Sequence, residues 1–460
     1  MHLIGELSMS IARHWSDYQA NYRAPQMQIV AEWLVNGVSC AVVGMAGCGK
    51  SNFLGYLSQK PQVLWPYLGE LAHKIVCVPV DLNGLPSPDL ATFFRVVLRS
   101  FYEMRSRLSE EAAVLVQQQF LENKAATDPF LPQTALRELL LHFEAKEQRV
   151  VLVIDRFDRF ADQASPDMAD TLRNLRDSFK DTLCYVVGMR QAPKYLLNPE
   201  MLGELYEILD LHICWLGPMV LEDARRVIAE ELRISEADLD NDLVAQIYSL
   251  TGGYPSLLKS VCQRYADSSP ERADGWEQRL GADENIRYRL DEIWQGLTQQ
   301  EQVLLYSLAQ GEACPESELT SLVTKGLLIG EEGRWEIGAS LLRDYAAERG
   351  RFSRGLLWED EAKGVLYQGT RPLDHLPPLE AALLTFFVRY PYKRHTYTKI
   401  IEAVWADEAN VAGVTNEALA KQISNLRKRI EPNATDPIYI INFRSKPEGG
   451  YVFYPEGKPT

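Results

Sequence analysis

One stretch constrains this chain more than any other: Val42-Val43-Gly44-Met45-Ala46-Gly47-Cys48-Gly49-Lys50-Ser51. Its glycines, Gly44, Gly47 and Gly49, let a backbone close around an anion with its N–H groups turned inward. Lys50 is then placed to reach the β- and γ-phosphates of a nucleotide, and the Ser51 hydroxyl to ligate Mg²⁺. The flanks suit this reading. An apolar strand runs in, and residues 52–58 read as a helix whose positive dipole end adds to the site. The spacing predicts ATP or ADP with Mg²⁺ as ligands. The alternative is a glycine turn between strand and helix.

A phosphate cradle of this kind needs a carboxylate. Val150-Val151-Leu152-Val153-Ile154-Asp155 reads as a buried strand ending in one. Sheet geometry would bring Asp155 beside the loop, where it could bind Mg²⁺ through water; otherwise it is a strand-end cap. Many ATPases place a Glu directly after this Asp, and here Arg156 stands there. The nearest substitute is Asp158. It could position an attacking water, or pair on the surface with Arg156 or Arg159. A further strand, Cys184-Tyr185-Val186-Val187-Gly188-Met189, delivers Arg190, which is either a γ-phosphate contact or a solvated strand-end cation.

Strand-like runs at 39–43, 75–80, 150–154, 183–187 and 213–216 alternate with helical stretches. That alternation predicts a parallel sheet with helices on both faces. Residues 1–36 read as helical. A helical region from 220 to 266 is broken at Thr251-Gly252-Gly253-Tyr254-Pro255. Next, Thr298-Gln299-Gln300-Glu301 is a capping box opening a helix. Runs at 327–329 and 335–337 flank Glu331-Glu332-Gly333 as a hairpin, so this segment reads as a winged helix. Between Thr298 and Arg349 stand 9 acids and 4 bases, the reverse of a DNA reader's balance, which makes it a structural or regulatory spacer.

The net charge of −15 argues at first against nucleic acid. From Pro372 onward, however, 11 Lys/Arg stand against 10 Asp/Glu, so the acid excess lies before that point. Leu379–Tyr390 and Tyr397–Trp405 read as helices. Residues 415–430, TNEALAKQISNLRKRI, put Leu419, Ile423, Leu426 and Ile430 on one apolar stripe. Lys421, Ser424, Asn425 and Lys428 fall opposite, with Arg427 flanking. Such a helix can present its polar face to base edges in a major groove. A hairpin follows, 438–443 with 451–453, with Arg444 and Lys446 at its tip and able to enter a minor groove. The alternative is a solvated helix face that contacts protein. No apolar run of 18 residues is present, so no membrane span is expected. The N-terminus lacks a signal-peptide pattern. The seven Cys form no C-x-x-C pair, which suits a reducing cytosol.

These motifs carry two resemblances. The glycine loop, Asp155-Arg156-Phe157-Asp158, Arg190, Leu216-Gly217-Pro218 and Thr251-Gly252-Gly253-Tyr254-Pro255 together resemble the STAND class of signal-transduction ATPases, related to AAA+ and origin-recognition ATPases. The resemblance runs from Asn21 to Arg351. It implies Mg²⁺-linked and water-positioning roles for Asp155 and Asp158, a nucleotide-side contact for Pro255, and an adenine-pocket segment at Tyr22-Arg23. It also implies slow hydrolysis used as a switch, with self-association in the ATP state and an inducer of unknown kind. The C-terminal segment resembles the OmpR/PhoB-type DNA-binding domain through Leu379-Glu380, Leu383-Leu384, Val404-Trp405, Leu426-Arg427-Lys428 and Gly450-Tyr451. It has a longer wing and implies double-stranded DNA as partner.

The expected fold is therefore an α/β P-loop NTPase with a parallel sheet and helical lid, followed by two winged-helix domains of α+β class. The expected divisions are an ATPase core at 1–216, a lid at 217–296, an acidic winged helix at 297–351, a linker at 352–371 and a DNA-binding winged helix at 372–460. The expected function is a cytoplasmic ATP-gated transcription regulator. The alternatives are an initiator-like or DNA-remodelling ATPase, or a STAND defence or signalling scaffold.

Overall fold

The apolar runs of the first half pair into one parallel five-stranded sheet, in which Ile75–Asp81, Arg149–Asp155, Leu183–Met189, Cys40–Val43 and Ile213–Trp215 lie side by side in that order. The computed structural model describes residues 18, 21–87, 89–161, 165–196, 199–267, 276–331, 333–349, 355–360, 363–369, 371–405, 415–444 and 448–458. Of the helix expected over 1–36, residues 1–17, 19 and 20 lie outside these. The chain forms two compact units, Met1–Asp240 with Gly253–Lys259, and Asn241–Gly252 with Ser260–Thr460.

In the first unit, α1 (Ala24–Val35) leads into β1 (Cys40–Val43), and α2 (Lys50–Gln59) follows the glycine loop. Next come β2 (Ile75–Asp81), then α3 (Leu90–Met104), α4 (Glu110–Asn123) and α5 (Phe130–Ala145). The sheet is completed by β3 (Arg149–Asp155), α6 (Pro166–Ser178), β4 (Leu183–Met189) and β5 (Ile213–Trp215), after which α7 (Leu221–Leu232) follows. All strand pairs are parallel. Strands covered on both faces need continuous apolar runs, and β1 and β4 are buried at every residue. The sheet order puts β4 between β1 and β3. The loop after β1, Asp155 at the end of β3 and Arg190 just after β4 all lie at the same carboxyl edge.

The second unit comprises α8 (Asn241–Thr251), most of α9 (Pro255–Ala266), α10 (Glu284–Gln295), and the first winged helix. That winged helix is α11 (Gln299–Ala309), α12 (Glu316–Thr324), the hairpin of β6 (Leu328–Ile329) with β7 (Glu336–Ile337), and α13 (Ser340–Arg349). The capping box at Thr298 and Glu301 is formed. Glu301 is also buried, where it pairs with Lys325 at 2.6 Å.

Two expectations are corrected. Residues 352–371 are not a bare linker, because β8 (Leu357–Asp360), β9 (Val365–Gln368) and β10 (Arg371–Pro372) form an antiparallel sheet there. Leu357 and Leu366 join the core of the C-terminal winged helix. Alternation over four residues, with charged residues between, is too short to stand out from a linker. The division at 216 also shifts, since α7 belongs to the first unit with the parallel sheet and both winged helices fall in the second. The C-terminal module continues with α14 (Pro378–Arg389), β11 (Arg394–Thr396), α15 (Tyr397–Val404), α16 (Asn416–Ile430), β12 (Ile440–Phe443) and β13 (Gly450–Phe453).

Candidate nucleotide site and nucleic-acid interface

The glycine loop is pinned at its root. Gly44 N–H donates to Met189 O at 3.0 Å, and Leu216 N–H to Val43 O at 2.7 Å. A Cβ on Gly44 would lie 2.5 Å from Cys48 Sγ and 2.6 Å from Leu216 O, so no other residue fits. Five successive carbonyls are then held from outside the turn or across it. Gly44 O accepts from Lys50 Nζ at 3.1 Å and Met45 O from Cys48 N–H at 3.3 Å. Ala46 O accepts from the Tyr254 hydroxyl at 2.6 Å, Gly47 O from Ser256 N–H at 3.1 Å, and Cys48 O from Arg23 Nη2 at 3.1 Å. A trans peptide points its N–H opposite its carbonyl. Anchoring these carbonyls therefore turns the N–H groups of Gly47 and Gly49 to the other side of the loop, as an anion cradle requires. Gly47 has φ 78°, and a Cβ there would meet Ser256 Oγ at 2.2 Å. Ser256 Oγ is buried without a hydrogen-bond partner among the described residues, a donor left over beside the cradle.

Arg23 plays a different part from the one the resemblance implied. Arg23 is buried, and its guanidinium donates to Pro218 O at 2.7 Å as well as to Cys48 O. Its backbone N–H donates to Asp223 at 3.3 Å. Arg23 thus braces the loop instead of facing a base, a role that a lone Tyr-Arg pair in sequence does not reveal. Tyr22 stacks on Tyr18 at 4.3 Å, and its hydroxyl lies 3.9 Å from where a Gly49 Cβ would be. Burial raises the Tyr22 pKa. Pro255 Cγ lies 3.5 Å from that same Gly49 position, so the Thr251–Pro255 motif does reach the loop. Tyr254 and Ser256 were missed in the sequence, although the quoted motif contains the first and adjoins the second.

Asp155 is half-buried at the end of β3, with Asp81 of β2 beside it in register. Its Oδ1 accepts from Arg156 N–H at 2.8 Å, and Arg156 takes φ 60°, a left-handed backbone rarely held by a non-glycine residue. That turn lifts the chain so that Asp158 Oδ1 accepts from Arg190 N–H at 2.7 Å. The structure brings Asp158 and Arg190 together, with Asp158 fixing the root of the exposed Arg190. Ser51 is exposed at the first turn of α2.

In the C-terminal module Leu419, Ile423, Leu426 and Ile430 are fully buried, as the stripe predicts. Lys421, Ser424 and Lys428 are exposed and Asn425 is half-exposed on the other side of α16. Arg427 is a correction. Its Nε donates to Ile440 O at 3.0 Å and its Nη2 to Asn442 Oδ1 at 2.6 Å, so it ties α16 to β12. Burial pulls its pKa down. Glu431 adds a second tie, accepting from the N–H groups of Ile438, Tyr439 and Ile440. The longer wing is anchored as well, because Glu448 accepts from Thr398 N–H at 2.9 Å and Thr398 Oγ1 at 2.8 Å in the first turn of α15. Arg444 is exposed at the wing, while Lys446 lies outside the described residues.

A family model described as Novel STAND NTPase 1 matches residues 22–310, well over half of the chain. The chain belongs to the novel STAND NTPase 1 family. A second model, Transcriptional regulatory protein, C terminal, matches residues 373–453. This STAND NTPase therefore carries a transcriptional regulatory C-terminal domain. It is 32% identical over 106 residues to Protein PetR of Rhodobacter capsulatus, covering 23% of this chain and 43% of PetR. The chain thus spans less than half the length of that relative. Among solved structures it is similar to a Walker-type ATPase of Pyrococcus abyssi, with 14% identity and TM-score 0.42 over 70% of this chain and 95% of that one. It is also similar to the ORC2 protein of Aeropyrum pernix, with 10% identity and TM-score 0.41 over 71% and 91%. Among the described residues no helix is long and apolar enough to cross a membrane.

Proposed function

We propose that this STAND NTPase is an ATP-gated switch that binds double-stranded DNA through its C-terminal winged helix and regulates transcription. The observation that carries the reading is the run of five anchored carbonyls from Gly44 to Cys48, a loop built to receive phosphates, in one chain with a regulatory domain whose polar helix face is exposed.

In this reading the Gly47 and Gly49 N–H groups and Lys50 hold the phosphates, and Ser51 and Asp155 hold Mg²⁺. When bound there, the ion would neutralise charge on the phosphate oxygens. Ser256 Oγ, Tyr22 and Pro255 line the nucleotide, while Arg23 and Tyr254 keep the loop in shape. Asp158 positions the attacking water, and Arg190 stabilises charge on the transferred phosphoryl group. Slow turnover suffices, since a switch needs only a difference of affinity between states. Lys421, Ser424, Asn425 and Lys428 face DNA, with Arg444 at the wing. The ATP form self-associates, which places two readers on repeated half-sites.

The test is calorimetry on the full chain. Lys50→Ala loses tight ATP binding and keeps its fold. Unchanged affinity would remove the assignment of the site. Turnover that DNA strongly stimulates would favour the initiator-like ATPase, and no DNA binding at physiological salt would favour the scaffold.

A further inference from the structure

A polar network, buried at Arg349 and Glu456, joins the two winged helices of the second unit. At its centre is Arg349, at the end of α13, with a side chain 8% exposed. Its Nη1 reaches Glu456 Oε1 at 2.9 Å, and its Nη2 pairs with Asp291 of α10. The guanidinium lies over the Tyr345 ring at 4.4 Å, and the Tyr345 hydroxyl also bonds Asp291. From the C-terminal module, the Tyr392 hydroxyl donates to Glu456 Oε2 at 2.9 Å. Gln302 of α11 donates to Trp294 O at 2.8 Å and to the Tyr392 oxygen at 3.3 Å.

Both module residues are held firmly. Tyr392 takes φ 61°, a left-handed backbone, and its N–H donates to Phe453 O at 2.8 Å. Glu456 follows β13, where Leu357 N–H donates to Pro455 O at 2.9 Å and Lys458 N–H to Ile438 O at 2.7 Å. It is 1% exposed, and burial raises its pKa against the pull of Arg349. A carboxylate so buried is tolerated only when paired. The NTPase match ends at 310 and the regulatory match spans 373–453, so neither covers Arg349 or Glu456. The network belongs to the joint between modules and to neither module alone.

We propose that Asp291, Arg349, Glu456 and Tyr392 form a lock that makes the DNA-reading module one body with the acidic winged helix, so that nucleotide state moves α16 rigidly and not through a slack tether. The relay rests on the switch proposed above. Its route is chain continuity: α9 starts in the first unit, where Ser256 N–H bonds the glycine loop, and ends in the second unit, which carries both winged helices. The 9 acids against 4 bases of the first winged helix also find a use, because it serves as a mount and needs no DNA contact of its own.

The test compares the full-length parent with Arg349→Met and Glu456→Gln. The first removes the shared cation. The second removes one charge at constant size and leaves Arg349 with Asp291, so it decides the matter should Arg349→Met fold poorly. Hydrogen exchange is read at the Leu357 and Tyr392 amides, and duplex affinity is read with ADP and with the β,γ-imido analogue of ATP. The lock predicts exchange at those amides faster by about tenfold or more. It also predicts that the nucleotide-dependent ratio of DNA affinities, roughly 5–150-fold in the parent, collapses to within about twofold of unity while nucleotide affinity holds. Unchanged exchange overturns the lock. Faster exchange with the ratio intact overturns the relay and leaves the network structural. A ratio of one in the parent itself refutes the switch and the relay with it, and the exchange data still judge the lock.

Discussion

Asp158 has one duty seen in the structure and one proposed above, and a substitution can separate them. Its Oδ1 fixes the Arg190 backbone, and an asparagine oxygen can accept the same N–H. Asp158→Asn therefore keeps Arg190 in place and removes only the carboxylate. The expected result is normal ATP affinity with turnover lower by about 10²-fold, as for loss of a positioned base. Asp158→Ala also frees the Arg190 backbone and falls further. Equal turnover in Asn and wild type, followed by phosphate release, excludes Asp158. His395 makes a separate prediction for the C-terminal module. It is 2% exposed among Phe386, Phe387 and Tyr390, its Nε2 lies 3.0 Å from Tyr390 O, and burial holds its pKa below the usual 6.5. The folded state thus binds its proton less readily than the unfolded chain. Its contribution is complete above pH 6.5 and is lost as pH falls through 6.5 towards the folded value. Thermal melts should show the module's Tm falling on acidification below pH 6.5, with a shallower fall in His395→Gln. Parallel slopes would exclude His395 as the cause.

Among the elements, α16 holds Arg427 in packing and leaves Lys421 and Lys428 exposed. Arg427 is bonded to β12, so Arg427→Ala should destabilise the module by about 2 kcal/mol through lost charged hydrogen bonds. Lys421→Ala should leave stability within about 0.5 kcal/mol and weaken DNA binding instead. Melting and salt titration of both variants settle this, and a reversed pattern would return Arg427 to the DNA face. The apolar stripe of α16 was legible because a buried face repeats every third or fourth residue. The division between Arg427 and Lys428 was not, since adjacent arginines and lysines look alike until the packing of β12 chooses between them. At the candidate nucleotide site the glycine loop, Asp155 and Arg190 could be read from strand ends, because a parallel sheet delivers them to one edge. The donors from Arg23, Tyr254 and Ser256 bind backbone carbonyls, and carbonyls carry no residue-specific signature.

For the whole molecule, strand–helix alternation announced the sheet, and charge counts separated an acidic from a neutral winged helix. The sheet of β8, β9 and β10 was hidden in strands of two to four residues. The grouping of both winged helices in one unit was hidden too, because contacts such as Arg349 with Glu456 span 107 positions. These long-range contacts bear on the central claim, that nucleotide state sets DNA affinity. If ATP tightens DNA binding, linkage requires DNA to tighten ATP binding by the same factor. The most direct measurement is duplex DNA affinity of the full-length Asp158→Asn protein with ATP and with ADP, alongside its mass by light scattering. The account predicts DNA binding tighter with ATP by roughly 5–150-fold, with a larger particle in ATP. Equal DNA affinity in the two nucleotides would contradict it.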